Sequence, residues 1–208
     1  MTAMRILGLT GSVAMGKSHV ARIVRAFGVP VFDADRAVHE LLAPDGAAVA
    51  AVLLAFPAVA AADGGIDRAA LGRIVFADPA ARRRLEAILH PLVRAAERAF
   101  IARARRAGQR LVVLDIPLLF ETGAERRCDR VAVVSAPPYL QRQRALRRPG
   151  MTASRLAGIL AGQLADRVKR RRADYVLQAG FDRGETVRQV GAMLAALTDA
   201  KRDAAHGP

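Results

Sequence analysis

The sequence predicts a three-layer α/β fold built on a parallel five-stranded sheet. Three observations predict it. The chain opens with a strand, a glycine-rich turn, a helix and a second strand in direct succession, which is a βαβ unit. Three more apolar runs follow, at residues 111–115, 130–134 and 175–177, with helical patterns between them. The 208 residues, 52% of them hydrophobic, supply the core of one such domain with room for a small helical insertion.

Residues 5–10 are apolar enough for a short buried strand. After the turn, Val20, Ile23, Val24 and Phe27 recur at i, i+3, i+4 and i+7, one face of an amphipathic helix. Gly28 stands where a helix-ending glycine belongs. Residues 29–33 then read as the second strand. The run 111–115 ends in Asp115, and 130–134 is followed by Ser135-Ala136-Pro137-Pro138. Two stretches do not fit simple alternation. Residues 36–108 are too long for one crossover and read as several helices, a substrate-binding insertion. Residues 139–172 are helical and Arg-rich, broken at Pro149-Gly150, and read as a lid. The core is then 4–35, 109–138 and 173–198, within a single domain spanning 4–200. Ala-rich residues 47–62 read as a buried helix ended by a loop at Pro57. The polar tail 199–208 is expected to fray.

Formal net charge is +14, and lysine occurs only at Lys17, Lys169 and Lys201, so arginine carries most of the positive charge. An Arg-rich surface attracts phosphates of nucleotides or nucleic acids. A compositional bias spread over solvated helix faces explains the charge equally simply. The scatter of the arginines favours the second reading, with Arg82-Arg83-Arg84 and 169–172 the only dense clusters. Only 4% of residues are aromatic and none is tryptophan, which supplies few stacking platforms for single strands. Nucleic acid is therefore not an expected partner. Cys128 is the only cysteine, so an intrachain disulfide is impossible and a reducing cytoplasm is the expected setting. The first residues lack the charged and apolar regions of a signal peptide. The apolar stretch 47–62 is shorter than the roughly 18–20 residues a membrane span needs. A monomer with no membrane partner is expected.

The chemistry begins at Gly11-Ser12-Val13-Ala14-Met15-Gly16-Lys17-Ser18, a full match to G-x4-G-K-[ST]. Its glycines let the backbone turn its N–H groups toward phosphates, and the following helix adds its N-terminal dipole. Lys17 is expected to reach the β- and γ-phosphates of ATP, and Ser18 to place its hydroxyl on Mg²⁺. With His19, these residues are the expected nucleotide site. An ordinary glycine turn with an exposed lysine is the plainer reading, and the position between a strand and a helix speaks against it. The fold is thus of the P-loop NTPase type.

Carboxylates follow the strands. Asp33 and Asp35 stand at the end of the second strand, near the edge where such sheets bind ligands, and strand residues two apart share a face. Either may instead cap the helix beginning near Arg36. Asp115 resembles the second metal-binding motif of P-loop enzymes, ordering water around Mg²⁺; a strand-end turn residue is its plainer reading. Arg144 and Arg148 lie i, i+4 apart, one helix face, from which a lid would stabilise a transferring phosphoryl group; an exposed basic helix is the alternative. Pro91 biases His90 away from helical geometry, which predicts a helix boundary or kink there.

The chain contains no asparagine, so the N-K-x-D guanine-reading motif of GTPases is absent. Over residues 4–197 it resembles the dephospho-CoA kinase family. The resemblance rests on ordered segments: Gly8-Leu9-Thr10-Gly11 with Gly16-Lys17-Ser18; Asp33-Ala34-Asp35; Gly65-Ile66-Asp67-Arg68 with Leu71 and Phe76; Leu85-Glu86 before His90-Pro91; Pro117-Leu118-Leu119-Phe120-Glu121; Gln141 with Arg144 and Arg148; Gln163, Lys169 and Ala173-Asp174. Two departures stand out. The family has a second glycine where this chain has Ser12, and an asparagine where it has Ala179. The resemblance implies that ATP phosphorylates the ribose 3′-hydroxyl of 3′-dephospho-CoA. It implies Asp35 as the carboxylate that accepts or orients the hydroxyl proton, with Asp33 supporting it or the metal. It places His90, Pro117, Leu118 and Glu121 with the acceptor; capping and surface roles are the plainer readings of His90 and Glu121. Lys169 and Arg172 are further candidates for phosphate contact.

Overall fold

A computed structural model of the protein describes residues 4–180 and 182–199; of the predicted tail, 200–208 lie outside them. β1 (Arg5–Thr10) is the middle strand of a parallel five-stranded sheet of order β2-β3-β1-β4-β5. Its partners are β3 (Leu111–Asp115) on one side and β4 (Arg130–Ser135) on the other, in register Leu9 with Asp115 and Thr10 with Val133. β5 (Tyr175–Gln178) extends the sheet beyond β4, and β2 (Val31–Asp33) lies beyond β3. The chain runs outward from β1 to β2, returns to β3, then crosses to the far side of β1. That reversal of strand order opens a crevice at the carboxyl ends of the central strands, where α/β sheets bind ligands.

β3 is buried at all five positions, as its unbroken apolar run requires in a sheet covered on both faces. In β1, Leu7 and Leu9 share one face and pack with α1 (Lys17–Ala26) and α9 (Arg183–Thr198). Val20, Ile23 and Val24 supply the α1 stripe, and Val190, Met193, Leu194 and Leu197 that of α9. Each fully buried side chain of this kind contributes roughly 1.5–3 kcal/mol. Phe27 departs from the predicted stripe. The helix stops at Ala26, so Phe27 takes the C-cap and stays 49% exposed beside Gly191, while Gly28 leaves at φ +79°.

The chain divides into two compact units, Asp33–Arg103 and the residues on either side of it. The first of these overlaps residues 36–103 of the stretch 36–108 expected to form an insertion. It holds α2 (Ala34–Leu41), α3 (Val49–Ala55), α4 (Arg68–Ala77) and most of α5 (Pro79–Arg106). Its own core joins Leu42, Val52, Phe56, Val59, Ile66, Leu71 and Leu89. Asp67 caps α4 by accepting from the N–H groups of Ala69 and Ala70. Two expectations change here. Residues 47–62 form not one buried helix but α3 and a single 3₁₀ turn at Pro57–Val59, with Leu54 87% exposed. And no helix boundary falls at His90-Pro91: α5 continues through them for 28 residues, because the helix as a whole outweighs the local preference before proline.

The predicted lid contains α6 (Pro138–Leu146), α7 (Ala153–Ala161) and α8 (Asp166–Arg172). Among the described residues no helix is long and apolar enough to cross a membrane.

Candidate active site

The loop between β1 and α1 is bent by two glycines that nothing larger could replace. A Cβ on Gly11 would stand 2.7 Å from the carbonyl oxygen of Val134, and Gly16 has φ +102° with a would-be Cβ 2.9 Å from Ala179 Cβ. Between them Ala14 takes φ +61°, uncommon for a residue with a side chain. Three loop residues pack against α6, α7 and the residues beside them. Val13 and Ala14 pack with Ala145, Met151, Leu156 and Leu160, and Met15 with Ala136 and Leu140. His19 N–H already donates to the Gly16 carbonyl at 2.9 Å; ahead of it the N–H groups of Lys17 and Ser18 open the helix without an i−4 acceptor inside it, so this end presents donors and the positive end of the dipole.

Lys17 Nζ meets Asp115 Oδ1 at 2.5 Å, with side chains 14% and 3% exposed. Asp115 reaches this point because β3 ends beside Leu9, the last residue but one of β1. Thr10, fully buried, donates from its hydroxyl to the Pro117 carbonyl at 2.9 Å, tying the start of the loop to the segment after β3. Leu118 beside it is 39% exposed, while Leu119 is buried.

Next to the loop lies a cavity of about 510 Å³, lined by Gly16, His19, Arg144, Ala179, Gly180 and Arg183 among others. It opens between α1, α6 and the end of β5. Arg144 forks onto two carbonyls, Ala179 and Gly180, at 2.7 Å each. Here the helix-face expectation is corrected. α6 ends at Leu146, so Arg148 lies in the turn beyond it and is exposed, while Arg144 is half-buried and part of the cavity wall. Sequence reasoning missed Arg22, Asp182, Arg183 and Thr186 in this wall; no motif marks them, because only the packing of α9 against α1 brings them in.

His19 stands in the same wall with Nε2 buried and unpartnered. Burial, then the charges of Arg22, Arg183 and Arg144, hold its imidazole below the ordinary 6.5. The folded chain therefore binds fewer protons than the unfolded one just below pH 6.5. The stabilisation is whole above that value and lost as pH falls through the lowered one. An NMR titration of the nucleotide-free protein should give a His19 midpoint below 6.5; a midpoint at or above it would contradict the burial.

Lys169 is fully buried, and its Nζ lies 2.9 Å from Glu121 Oε1, an ion pair rather than a well-directed hydrogen bond. The same oxygen accepts from Leu164 N–H at 2.8 Å. Burial alone would raise the Glu121 carboxyl; Lys169 and the Leu164 amide outweigh it and hold it below its ordinary value. Lys169 thus has no exposed end with which to reach phosphate, contrary to expectation. Arg172 is likewise engaged, by Glu125 at 2.6 Å and over the Phe120 ring at 4.4 Å. Lys169→Met leaves Glu121 without its charge partner and should cost about 3–5 kcal/mol in urea unfolding, largely recovered in Lys169→Met/Glu121→Leu. A loss below about 1 kcal/mol would show that the pair contributes little.

In the helical unit Asp33 and Asp35 do not sit two apart on a strand. Asp33 ends β2 and caps α2, its Oδ1 accepting from Arg36 N–H at 3.0 Å, and Asp35 lies in the first turn of that helix. The alternation argument fails because the strand ends at the first carboxylate. Further along, His90, Pro91, Arg94, Arg98 and Ala87 line an open cleft of about 470 Å³ on α5. Pro91 has no N–H, so the Ala87 carbonyl lacks its helical donor. The i, i+4, i+8 spacing of His90, Arg94 and Arg98 was the available sequence signal for this face.

Residues 5–182 match the family model described as dephospho-CoA kinase. A dephospho-CoA kinase of Paramagnetospirillum magneticum is 65% identical over 80% of this chain and 78% of its own length. One from Rhodospirillum rubrum is 57% identical over 91% and 90%. Among solved structures, TT1252 from Thermus thermophilus has a TM-score of 0.80 at 34% identity, covering 94% of this chain and 99% of its own. A dephospho-CoA kinase from Campylobacter jejuni, 21% identical, has a TM-score of 0.67 over 94% and 98%, a likeness of fold.

Proposed function

The chain belongs to the dephospho-CoA kinase family, and from that membership we propose how its residues divide the work. It is a kinase that transfers a phosphoryl group from ATP to the ribose 3′-hydroxyl of 3′-dephospho-CoA, giving CoA and ADP, the last step of CoA biosynthesis. The observation that carries the assignment of roles is the Lys17–Asp115 pair beside the N-terminus of α1. A cation and a carboxylate stand together where the phosphate loop ends.

Residues 11–19 hold the triphosphate, with loop and helix N–H groups on its oxygens. Lys17 turns from Asp115 to the β- and γ-phosphates when nucleotide enters. Mg²⁺ fits this donor set. Among the described residues no cluster of three or more His, Cys, Asp or Glu is available, and Mg²⁺ characteristically relies on one or two protein oxygens, water and phosphate. Ser18 would ligate it directly and Asp115 through water. The chemistry it would supply there is positive charge against the phosphates of ATP.

The adenosine end of ATP occupies the 510 Å³ cavity, against Arg144 and the Ala179-Gly180 backbone. Arg144 and Arg148 set positive charge against the transferring phosphoryl group. Asp35 accepts the 3′-hydroxyl proton as oxygen bonds to the γ-phosphorus and the bond to ADP breaks. Asp33 supports it by holding the start of α2. His90, Pro117 and Leu118 contact the acceptor, and Glu121 acts on the site through Leu164. The reaction takes place in the cytoplasm, in a monomer, without nucleic acid or membrane.

Purified protein is offered MgATP with dephospho-CoA, AMP, CMP or no acceptor, and ADP is measured. ADP should appear with dephospho-CoA, together with CoA. Release with AMP or CMP but not dephospho-CoA would overturn the acceptor assignment.

A further inference from the structure

Val13, third residue of the phosphate loop, has both backbone polar groups bonded to glutamine side chains. Its N–H donates to Gln163 Oε1 at 3.1 Å, and its carbonyl accepts from Gln141 Nε2 at 2.9 Å. Neither glutamine belongs to the loop. Gln141 is on α6 and 8% exposed; Gln163 is in the turn between α7 and α8. We propose that Gln141 and Gln163 are positioning residues for ATP, gripping Val13 so that the loop keeps the curve on which the phosphate contacts depend. The inference rests on the reading of this loop as the ATP site.

The grip acts where it is needed. Ala14, next in the chain, holds the left-handed φ of +61° without glycine's freedom. A free loop would relax from it, since that conformation crowds an alanine's Cβ against the following carbonyl oxygen. Apolar packing of Val13 and Ala14 against Ala145 and Leu156 presses the same segment toward α6 and α7. The turn carrying Gln163 is itself fixed. Its neighbour Leu164 donates to Glu121, and Glu121 is paired with the buried Lys169. A continuous series of contacts thus runs from the core of α8 to the phosphate loop.

The two bonds have opposite polarity, and the backbone dictates it. An N–H donates, so Gln163 must offer oxygen; a carbonyl accepts, so Gln141 must offer nitrogen. Glutamate can replace the first but not the second. Both substitutions add the same negative charge, so the difference between them isolates the hydrogen bond. Gln163→Glu should keep the KM for ATP within about twofold of wild type, whereas Gln141→Glu should raise it about tenfold. Gln141→Met and Gln163→Met, which add no charge, should each raise it about tenfold as well. The KM for dephospho-CoA should stay within about twofold throughout. Circular dichroism confirms folding, and the methionine variants stand in for Gln141→Glu if burying its charge prevents folding. A general loss of structure would move both KM values together and would not distinguish the two glutamates. Equal effects of Gln141→Glu and Gln163→Glu, or an unchanged KM for ATP in both methionine variants, would overturn the inference alone. A wild-type chain that neither binds nor turns over ATP would overturn the ATP reading, and the inference with it.

Discussion

Lys17→Ala should lower kcat by at least about 100-fold. The transferring phosphoryl group passes through a loose arrangement in which charge spreads over its oxygens, so the enzyme acts mainly through positioning and electrostatics. Lys17 is the one lysine of the phosphate loop, and Arg144, whose fork lies across the carbonyls of Ala179 and Gly180, cannot move into its place without giving those bonds up. Alanine also removes the cation from beside Asp115, a carboxylate 3% exposed, and some stability should be lost with it. Lys17→Arg separates the two effects. It keeps a cation for Asp115, but its planar fork does not place a point charge where the ammonium stood. A thermal midpoint near wild type with kcat still depressed at least about tenfold would show that geometry, not charge alone, is required. Near-normal turnover in Lys17→Ala would remove this residue from the catalytic machinery.

Asp35→Asn should also lower kcat by at least about 100-fold, with little change in stability. Asparagine keeps the shape and loses the basicity. Its near neighbour provides the control. Asp33 holds the Arg36 amide as the N-cap of α2. Asp33→Ala should therefore destabilise the protein by about 1 kcal/mol in urea unfolding, with a smaller effect on kcat than Asp35→Asn. The two variants should thus separate along different axes, one kinetic and one thermodynamic. Normal turnover in Asp35→Asn would take the proton-accepting role from Asp35. A kcat loss in Asp33→Ala as large as that of Asp35→Asn would place both carboxylates at the chemistry.

Much of the fold was legible because it depends on local pattern. Val20, Ile23 and Val24 report one buried helix face through their spacing alone, and the apolar run before Asp115 reports a strand covered on both sides. Gly11 and Gly16 report the loop because only glycine tolerates the approach of Val134 or the left-handed turn beside Ala179. Errors came where local preference met a longer constraint. Of the helix boundary or kink that proline after His90 predicted, the boundary is absent, since α5 continues through it. Arg144 and Arg148 share a spacing, yet the helix ends between them.

The amino-acid sequence by itself determined the parallel α/β architecture, the phosphate loop and the family, each carried by residues close together or in fixed order along the chain. Only the tertiary structure decided what several of those residues do. Lys169 became a buried partner of Glu121, Asp33 a helix cap, and Gln141 and Gln163 the two grips on Val13, 128 and 150 residues away in the chain. Periodicity tells which side of an element is buried, but not which distant group waits there. A hydrogen bond needs a donor and an acceptor brought within about 3 Å, and for residues so far apart in sequence only the packing of the whole unit sets that distance.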